Sequence, residues 1–242
     1  MVGSLVLYET GVKSNKSTAA ALVTTLILGC MPGVTFARPD STSLYNPKDS
    51  TMKTVVVILY NGVELMDFAG PAEVFITTNE QKSFKVVTVA DSLSPVITMG
   101  GVSVNPDYTY GSVPKADIIV VPGGNMQEFG EVGRQWLKTA STDAYYVLSV
   151  CFGAFILADV GLLDGIEATT HHWGLKGLTK AAPKCKVMGC ERYIASGKIV
   201  STAGVTAGID GALHIVEKLL GKEAANWTAG EWMEYQRITN DK

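Results

Sequence analysis

Charge and metal-binding side chains are scarce in this sequence. Charged residues make up 18% of the 242-residue chain, and the formal net charge is −3. No basic tract breaks that balance, which argues against nucleic acid or an anionic membrane surface as the main partner. Histidine occurs 3 times and cysteine 4 times, and none falls into a zinc-type spacing. The adjacent pair His171-His172 makes a poor metal clamp, because neighbouring side chains diverge and no carboxylate cluster follows. No metal site is expected. No internal repeat stands out. Nor is there an apolar run long enough to cross a bilayer, since Ala19–Leu28 is too short. Disulfide staples are not required either. Apolar residues are 47% of the chain, enough to core one α/β domain of ordinary size or two small ones.

The first segment differs in character from the rest. Lys13 and Lys16 precede Ala19–Leu28, and small residues follow up to Ala37. A basic patch, a short apolar core and a small residue before a polar stretch is the layout of a secretory signal. Residues 1–37 are therefore expected to be a signal, cleaved after Ala37. Alternatively they form a lipoprotein signal through the box Ile27-Leu28-Gly29-Cys30. Export to a periplasmic or lipid-anchored location follows, with a membrane tether only if Cys30 is lipidated. A misassigned start would instead leave the protein in the cytoplasm. Residues 38–53 are polar, carry Pro39 and Pro47, and read as a linker to a domain spanning 54–236. Cleavage leaves three cysteines. Cys185 and Cys190 could then pair in an oxidising compartment, with Cys151 as the free thiol; the alternative is that all are reduced.

The stretch that organises the domain is Tyr145–Leu163. Its apolar β-rich start meets Cys151 and passes without a linker into Phe152-Gly153-Ala154. A strand that turns at once into a helix presents the turn residue at the carboxyl edge of a parallel sheet, at a helix N-terminus. A thiolate there is expected to be stabilised and its pKa lowered. Gly153 and Ala154 keep the bend uncrowded, which is the mechanics of a nucleophile elbow.

Elsewhere, Thr54–Tyr60, Phe84–Ala90 and Ala116–Val121 are apolar β-rich runs that predict buried strands. Val96–Thr98 and Val102–Val104 predict an antiparallel excursion, and Cys185–Val187, Arg192–Ile194 and Lys198–Ser201 further strands. Helices are expected over 72–77, 128–140, 206–220 and 224–236. Buried strands alternating with helices predict an α/β domain whose mostly parallel sheet is covered on both faces.

The chemistry-bearing candidates lie at the strand ends. Asp67, between Met66 and Phe68, should be partly desolvated and raised in pKa, which suits proton transfer near neutrality. Glu64 reads as a capping or solvated neighbour. Gly123 and Gly124 follow a strand and allow close approach by a ligand; their N–H groups, with that of Phe152, could form an oxyanion pocket. His171 or His172 could contact Cys151 as base or orienting partner. His214 is expected to be structural, and Asp210 to support a loop or helix start.

Five stretches together resemble the ThiJ/PfpI superfamily, within the class I glutamine amidotransferase-like fold. They are Gly62–Phe75, Val120–Gly124, Ser149–Gly165, Ala168–Trp173 and Ser201–Leu213, and the resemblance covers roughly residues 53–235. It implies a flavodoxin-like three-layer sandwich and a reactive elbow cysteine, here Cys151. It also implies an acidic partner from the loop after the first strand, here Asp67, and a dyad partner at His171. Asp67–Pro71 and Thr169–Trp173 look most similar to two branches, isocyanide hydratase and the amidotransferase-like domain of AraC-type regulators. Phe152 departs from the small or hydroxyl residue more familiar in the hydratase. The His directly after the cysteine in PfpI-type proteases is absent, and no basic C-terminal helix-turn-helix follows. The implied activity is hydration of a small-molecule isocyanide by Cys151 and Asp67, without metal or organic cofactor, in a homodimer. The alternatives are a ligand-binding or oxidative-stress-sensing module, and glyoxalase or deglycase chemistry on the same thiol.

Overall fold

The computed structural model describes residues 52–237. The expectations for the signal over 1–37, for Cys30, and for most of the linker lie outside the described residues. Strand β1 (Lys53–Ile58) and strand β6 (Ile118–Val121) are the apolar runs anticipated. Stiff β-branched side chains suit a pleated surface, and a strand apolar on both faces must be covered on both. Val55–Ile58 and Ile118–Val121 are all fully buried.

With β2 (Phe84–Ala90), β5 (Tyr108–Thr109), β7 (Tyr146–Val150), β10 (Tyr193–Ser196) and β11 (Ile199–Thr202), these strands form a seven-stranded sheet ordered β10-β11-β7-β6-β1-β2-β5. Neighbours run parallel except β10 and β11, which form a hairpin across Ser196-Gly197-Lys198. The long parallel strands follow the flavodoxin-like order, whose direction reverses between β1 and β6. Ligand sites in such sheets lie at that switch point, outside the carboxyl ends of the strands. The segments leaving β1, β6 and β7 carry Asp67, Gly123-Gly124 and Cys151, so the topology gathers the candidates at one edge. The short β3 (Val96–Ile97) and β4 (Ser103–Val104) form the expected antiparallel excursion. A further small pair joins β8 (Glu167–Ala168) to β9 (Lys186–Val187).

Helices α1 (Leu65–Thr77), α2 (Glu131–Asp143), α3 (Gly153–Asp159), α4 (Leu175–Ala181), α5 (Ala207–Leu220) and α6 (Lys222–Trp227) cover the sheet. Helix α1 begins at Leu65 rather than at residue 72. Ala69-Gly70-Pro71 reads as a break, yet Pro71 is carried inside the helix because packing overrides local propensity. Phe68, Pro71, Val74 and Phe75 are all buried, and Gly70 and Pro71 lie against Ile209 and Gly208 of α5. Helix α4 was not anticipated. The last helix is shorter than expected, giving way to a wider helical turn over Thr228–Trp232. The described cysteines are free thiols: Cys185 faces the core and Cys190 faces solvent, so the pairing considered for them is not formed. Among the described residues, no helix is long and apolar enough to cross a membrane.

Candidate active site

Cys151 is the first residue after β7, and its φ is +56°. Few non-glycine residues adopt this backbone, and it persists only where the surroundings enforce it. Here both sides of the residue are tied. Cys151 N–H donates to Ala203 O at 2.8 Å, and Thr170 Oγ1 donates to Cys151 O at 2.6 Å. Gly153 makes the bend feasible, since a Cβ there would stand 2.1 Å from Val121 O. The elbow read from the sequence is therefore present. The cysteine is buried but retains 9% exposure.

Asp67 reaches this elbow from the first turn of α1, not from a loop as the resemblance implied. The residue is fully buried. Its Oδ2 accepts Gly123 N–H at 3.0 Å and its Oδ1 accepts Val205 N–H at 3.0 Å. Its third partner is the Cys151 thiol. The crowding is visible at Gly123, where a Cβ would fall 2.7 Å from Phe152 N, 2.8 Å from Asp67 Oδ2 and 3.0 Å from Cys151 Cβ. Only glycine lets these groups converge. No cation pairs with Asp67 among the described residues.

Burial decides the electrostatics. It lifts Asp67 to about 6, against the pull of the Val205 and Gly123 N–H groups. It also pushes the Cys151 thiol up to about 12, and the Asp67 carboxylate adds to the rise. The expectation of a lowered thiol pKa is thus reversed. The Phe152 N–H does favour the thiolate, but one donor at a short helix is outweighed by desolvation and a neighbouring anion. At neutral pH the pair holds one proton, resting on sulfur beside a carboxylate able to take it.

A strained cysteine at a strand-to-helix elbow, set beside a buried carboxyl from the first turn of α1, sits within residues 53–218, which match the DJ-1/PfpI family. The chain belongs to the DJ-1/PfpI family. It is 32% identical over 173 residues to the isonitrile hydratase of Pseudomonas putida, covering 69% of this chain and 72% of that protein. The HTH-type transcriptional regulator CdhR of Pseudomonas aeruginosa is 26% identical over 172 residues, and this chain spans 51% of its length. Among solved structures, a ThiJ/PfpI family protein from Pseudomonas syringae superposes with a TM-score of 0.71 at 27% identity, covering 89% of this chain and 86% of that one. Drosophila melanogaster DJ-1beta superposes at 0.68 and 22% identity, covering 77% and 100%, a likeness of fold.

Within this DJ-1/PfpI site the other candidates have distinct places. Gly123 gives its N–H to Asp67, so it holds the carboxyl rather than joining an oxyanion pocket. Phe152 N–H points to the sulfur. Gly124, with φ +131°, packs on Gly62 and Val63 beneath the β1 turn. Glu64 caps α1 without a side-chain bond and adds negative charge near the pair. His171 stands on the rim. Its Nδ1 accepts Trp173 N–H at 3.3 Å, its ring lies 5.8 Å from that of Phe152, and its other side presses on Gly204. Asp67, and not His171, bears on the charge of the thiol. Burial, then the neighbouring His172, lower the His171 pKa. Val205, Ala203 and Thr170 were not singled out from sequence. The first two act through backbone atoms, which leave no residue-type signature. No cluster of three or more His, Cys, Asp or Glu able to hold a metal ion occurs among the described residues.

Proposed function

We propose that this DJ-1/PfpI domain is a cysteine-dependent enzyme acting on small molecules, and that its reaction is hydration of an isocyanide to an N-substituted formamide. The observation that carries this reading is the convergence of Cys151 and the buried, cation-free Asp67 around Gly123, where each bears on the other's charge. The 32% identity to an isonitrile hydratase supports the substrate class. Asp67, ionised above about pH 6, accepts the thiol proton as sulfur attacks the terminal isocyanide carbon, forming the S–C bond. The protonated carboxyl then delivers that proton to the same carbon, giving a thioimidate, R–N=CH–S. Water adds to this carbon, losing a proton to Asp67. The C–S bond breaks, the proton returns to sulfur, and the formimidic acid tautomerises to R–NH–CHO. The Phe152 N–H stabilises negative charge on sulfur whenever it leaves or arrives.

An oxidative-stress sensor is the second reading. It requires a standing thiolate, and a thiol raised to about 12 disfavours that. An enzyme with its own base does not share the requirement. The test is formamide production by the full chain across a panel of isocyanides, with methylglyoxal in parallel to report glyoxalase or deglycase chemistry. Turnover is expected, and is expected to vanish in Cys151→Ala and fall sharply in Asp67→Asn with the fold intact. Hydration that persists in Cys151→Ala would end this mechanism; exclusive turnover of methylglyoxal would move the substrate class.

A further inference from the structure

Asp67 takes one of its two backbone donors from a segment in a conformation it would not choose alone. Val205 has φ +56°, and left-handed backbone is a genuine outlier for a β-branched residue. The residues before it are tied to the nucleophile. Ala203 O accepts Cys151 N–H at 2.8 Å, and Ala203 N–H donates to Arg192 O at 2.8 Å. The segment Ala203–Val205 therefore touches the backbone of the cysteine at one end and the carboxyl of Asp67 at the other.

Arg192 holds its far end, and two further side chains hold Arg192. Arg192, just before β10, donates from Nε to Asp210 Oδ2. Its Nη2 donates to Thr206 Oγ1 at 3.2 Å and to the Tyr235 oxygen at 3.2 Å. The Tyr235 O–H donates in turn to Asp210, with its oxygen 3.1 Å from Oδ1 and 3.2 Å from Oδ2. Asp210, in the first turn of α5, has a fully buried side chain. Arg192 is thus the side chain that touches the residue following Val205, and Asp210 and Tyr235 fix Arg192 in place.

We propose that Arg192, Asp210 and Tyr235 are positioning residues that latch the Ala203–Thr206 segment in its strained form, fixing the Val205 N–H on Asp67 and thereby the proton balance between Asp67 and Cys151. The inference rests on the proton-sharing pair of the proposed function, and not on any substrate. A backbone N–H on a carboxylate favours its charged form. Loosening the latch therefore moves the pair's proton toward the carboxyl. Tyr60 after β1 and Glu64 before α1 also bear electrostatically on the pair, and latch variants leave both in place.

Tyr235→Phe and Arg192→Lys conserve net charge, so they alter geometry without adding or removing a field. Lysine keeps the positive charge but loses the fork that spans Asp210, Thr206 and Tyr235. The measurement is the rate of iodoacetamide alkylation at Cys151 from pH 5 to 9, read by peptide mass spectrometry so that Cys185 and Cys190 do not contribute. For the unaltered chain the rate rises with a midpoint set by the pair. In Tyr235→Phe, in Arg192→Lys and more so in the double variant, the midpoint moves up by about half a pH unit or more. Should Arg192→Lys fail to fold, Tyr235→Phe alone decides. A merely structural role would lower the melting temperature and leave the midpoint alone; an unmoved midpoint in folded variants overturns the proposal. So does a midpoint that survives in Asp67→Asn, because the pair is then not what titrates. A protein that hydrates no isocyanide yet shows the shift defeats the substrate reading and leaves the latch standing.

Discussion

Asp67 and Asp210 are the same side chain in nearly the same setting, put to different use. Each lies in the first turn of a helix, and the two helices pack together where Pro71 meets Gly208. Both residues are buried, at 0% and 2% exposure. Asp210 faces a guanidinium and a phenol. Asp67 faces two backbone N–H groups and a thiol, and no cation. A helix N-terminus favours either carboxylate, so the difference lies in the partner. A buried carboxylate given a cation is settled and can anchor other groups. One denied a cation stays close to its protonation boundary, which is what proton transfer near neutral pH requires.

The largest effect should come from removing the ionisable group without removing the shape. Asp67→Asn is expected to lower kcat/KM by about 10²–10⁴-fold, the range of a lost general acid–base, while the chain still folds cooperatively. Steady-state kinetics and a thermal scan on one preparation check both halves. A variant that unfolds, or one that keeps full turnover, would erase the distinction between the two carboxylates.

The absence of a cation should also be visible as a cost to folding. Asp67 titrates at about 6 when folded, against 3.8 for the ordinary side chain. Below pH 3.8 it is neutral in both states. Between the two values the folded chain holds a proton that the unfolded chain has released. Stability contributed by the neutral carboxyl is therefore full in acid and is lost as pH rises toward 6, roughly 3 kcal/mol in all. Urea unfolding at pH 4, 5, 6 and 7, compared with Asp67→Asn, isolates this component. A difference between the two chains that stays flat with pH would contradict the raised value.

Asp210→Asn should do the reverse of Asp67→Asn. It leaves Arg192 without its anion, and hydrogen bonds to charged groups contribute about 1.5–3 kcal/mol. Loss of about 2 kcal/mol in stability is expected, with kcat/KM retained to within about tenfold, since Asp210 acts on the reaction only through Val205. Denaturation midpoints and kinetics together place each carboxylate on its own axis.

Much of this contrast is written in the sequence, and the unwritten part has an identifiable cause. The strands are legible because β-branched runs such as Thr54–Tyr60 have few other uses. The elbow is legible because Cys151 and Gly153 follow an apolar run without a linker, and Asp67 because it interrupts Met66 and Phe68. The start of α1 is not legible, since Ala69-Gly70-Pro71 reads locally as a turn and is overruled by contact with α5. The donors on Asp67 are hidden because they are main-chain groups, one of them 138 positions away. Arg192 and Tyr235 are 43 positions apart, and neither has a local pattern that announces the other. The sign of the thiol shift is not legible for a related reason. A helix N-terminus is a local feature, whereas the burial and the anion that outweigh it arrive through the fold.

The smallest effect is expected at a third place, the rim, which carries neither kind of carboxylate. His171, His172 and Trp173 form a cluster of rings, with centroids 4.2 Å apart for the two histidines and 4.9 Å for His171 and Trp173. Phe152 joins it at 5.8 Å from His171, which ties the rim to the residue following the sulfur. Trp173 is 80% exposed, so it contributes little to the core. Burial and His172 lower the His171 pKa, and what the rim chiefly offers is apolar and π surface. Contacts of that kind hold substrate and transition state alike, and their loss raises KM without changing kcat. Trp173→Ala is therefore expected to raise KM for aromatic isocyanides about 3–10-fold, leave kcat and stability near those of the unaltered chain, and spare small alkyl isocyanides. A fall in kcat would mean that the ring reaches the proton-transfer step, and the separation between groups that move the proton and groups that hold the substrate would fail at this edge.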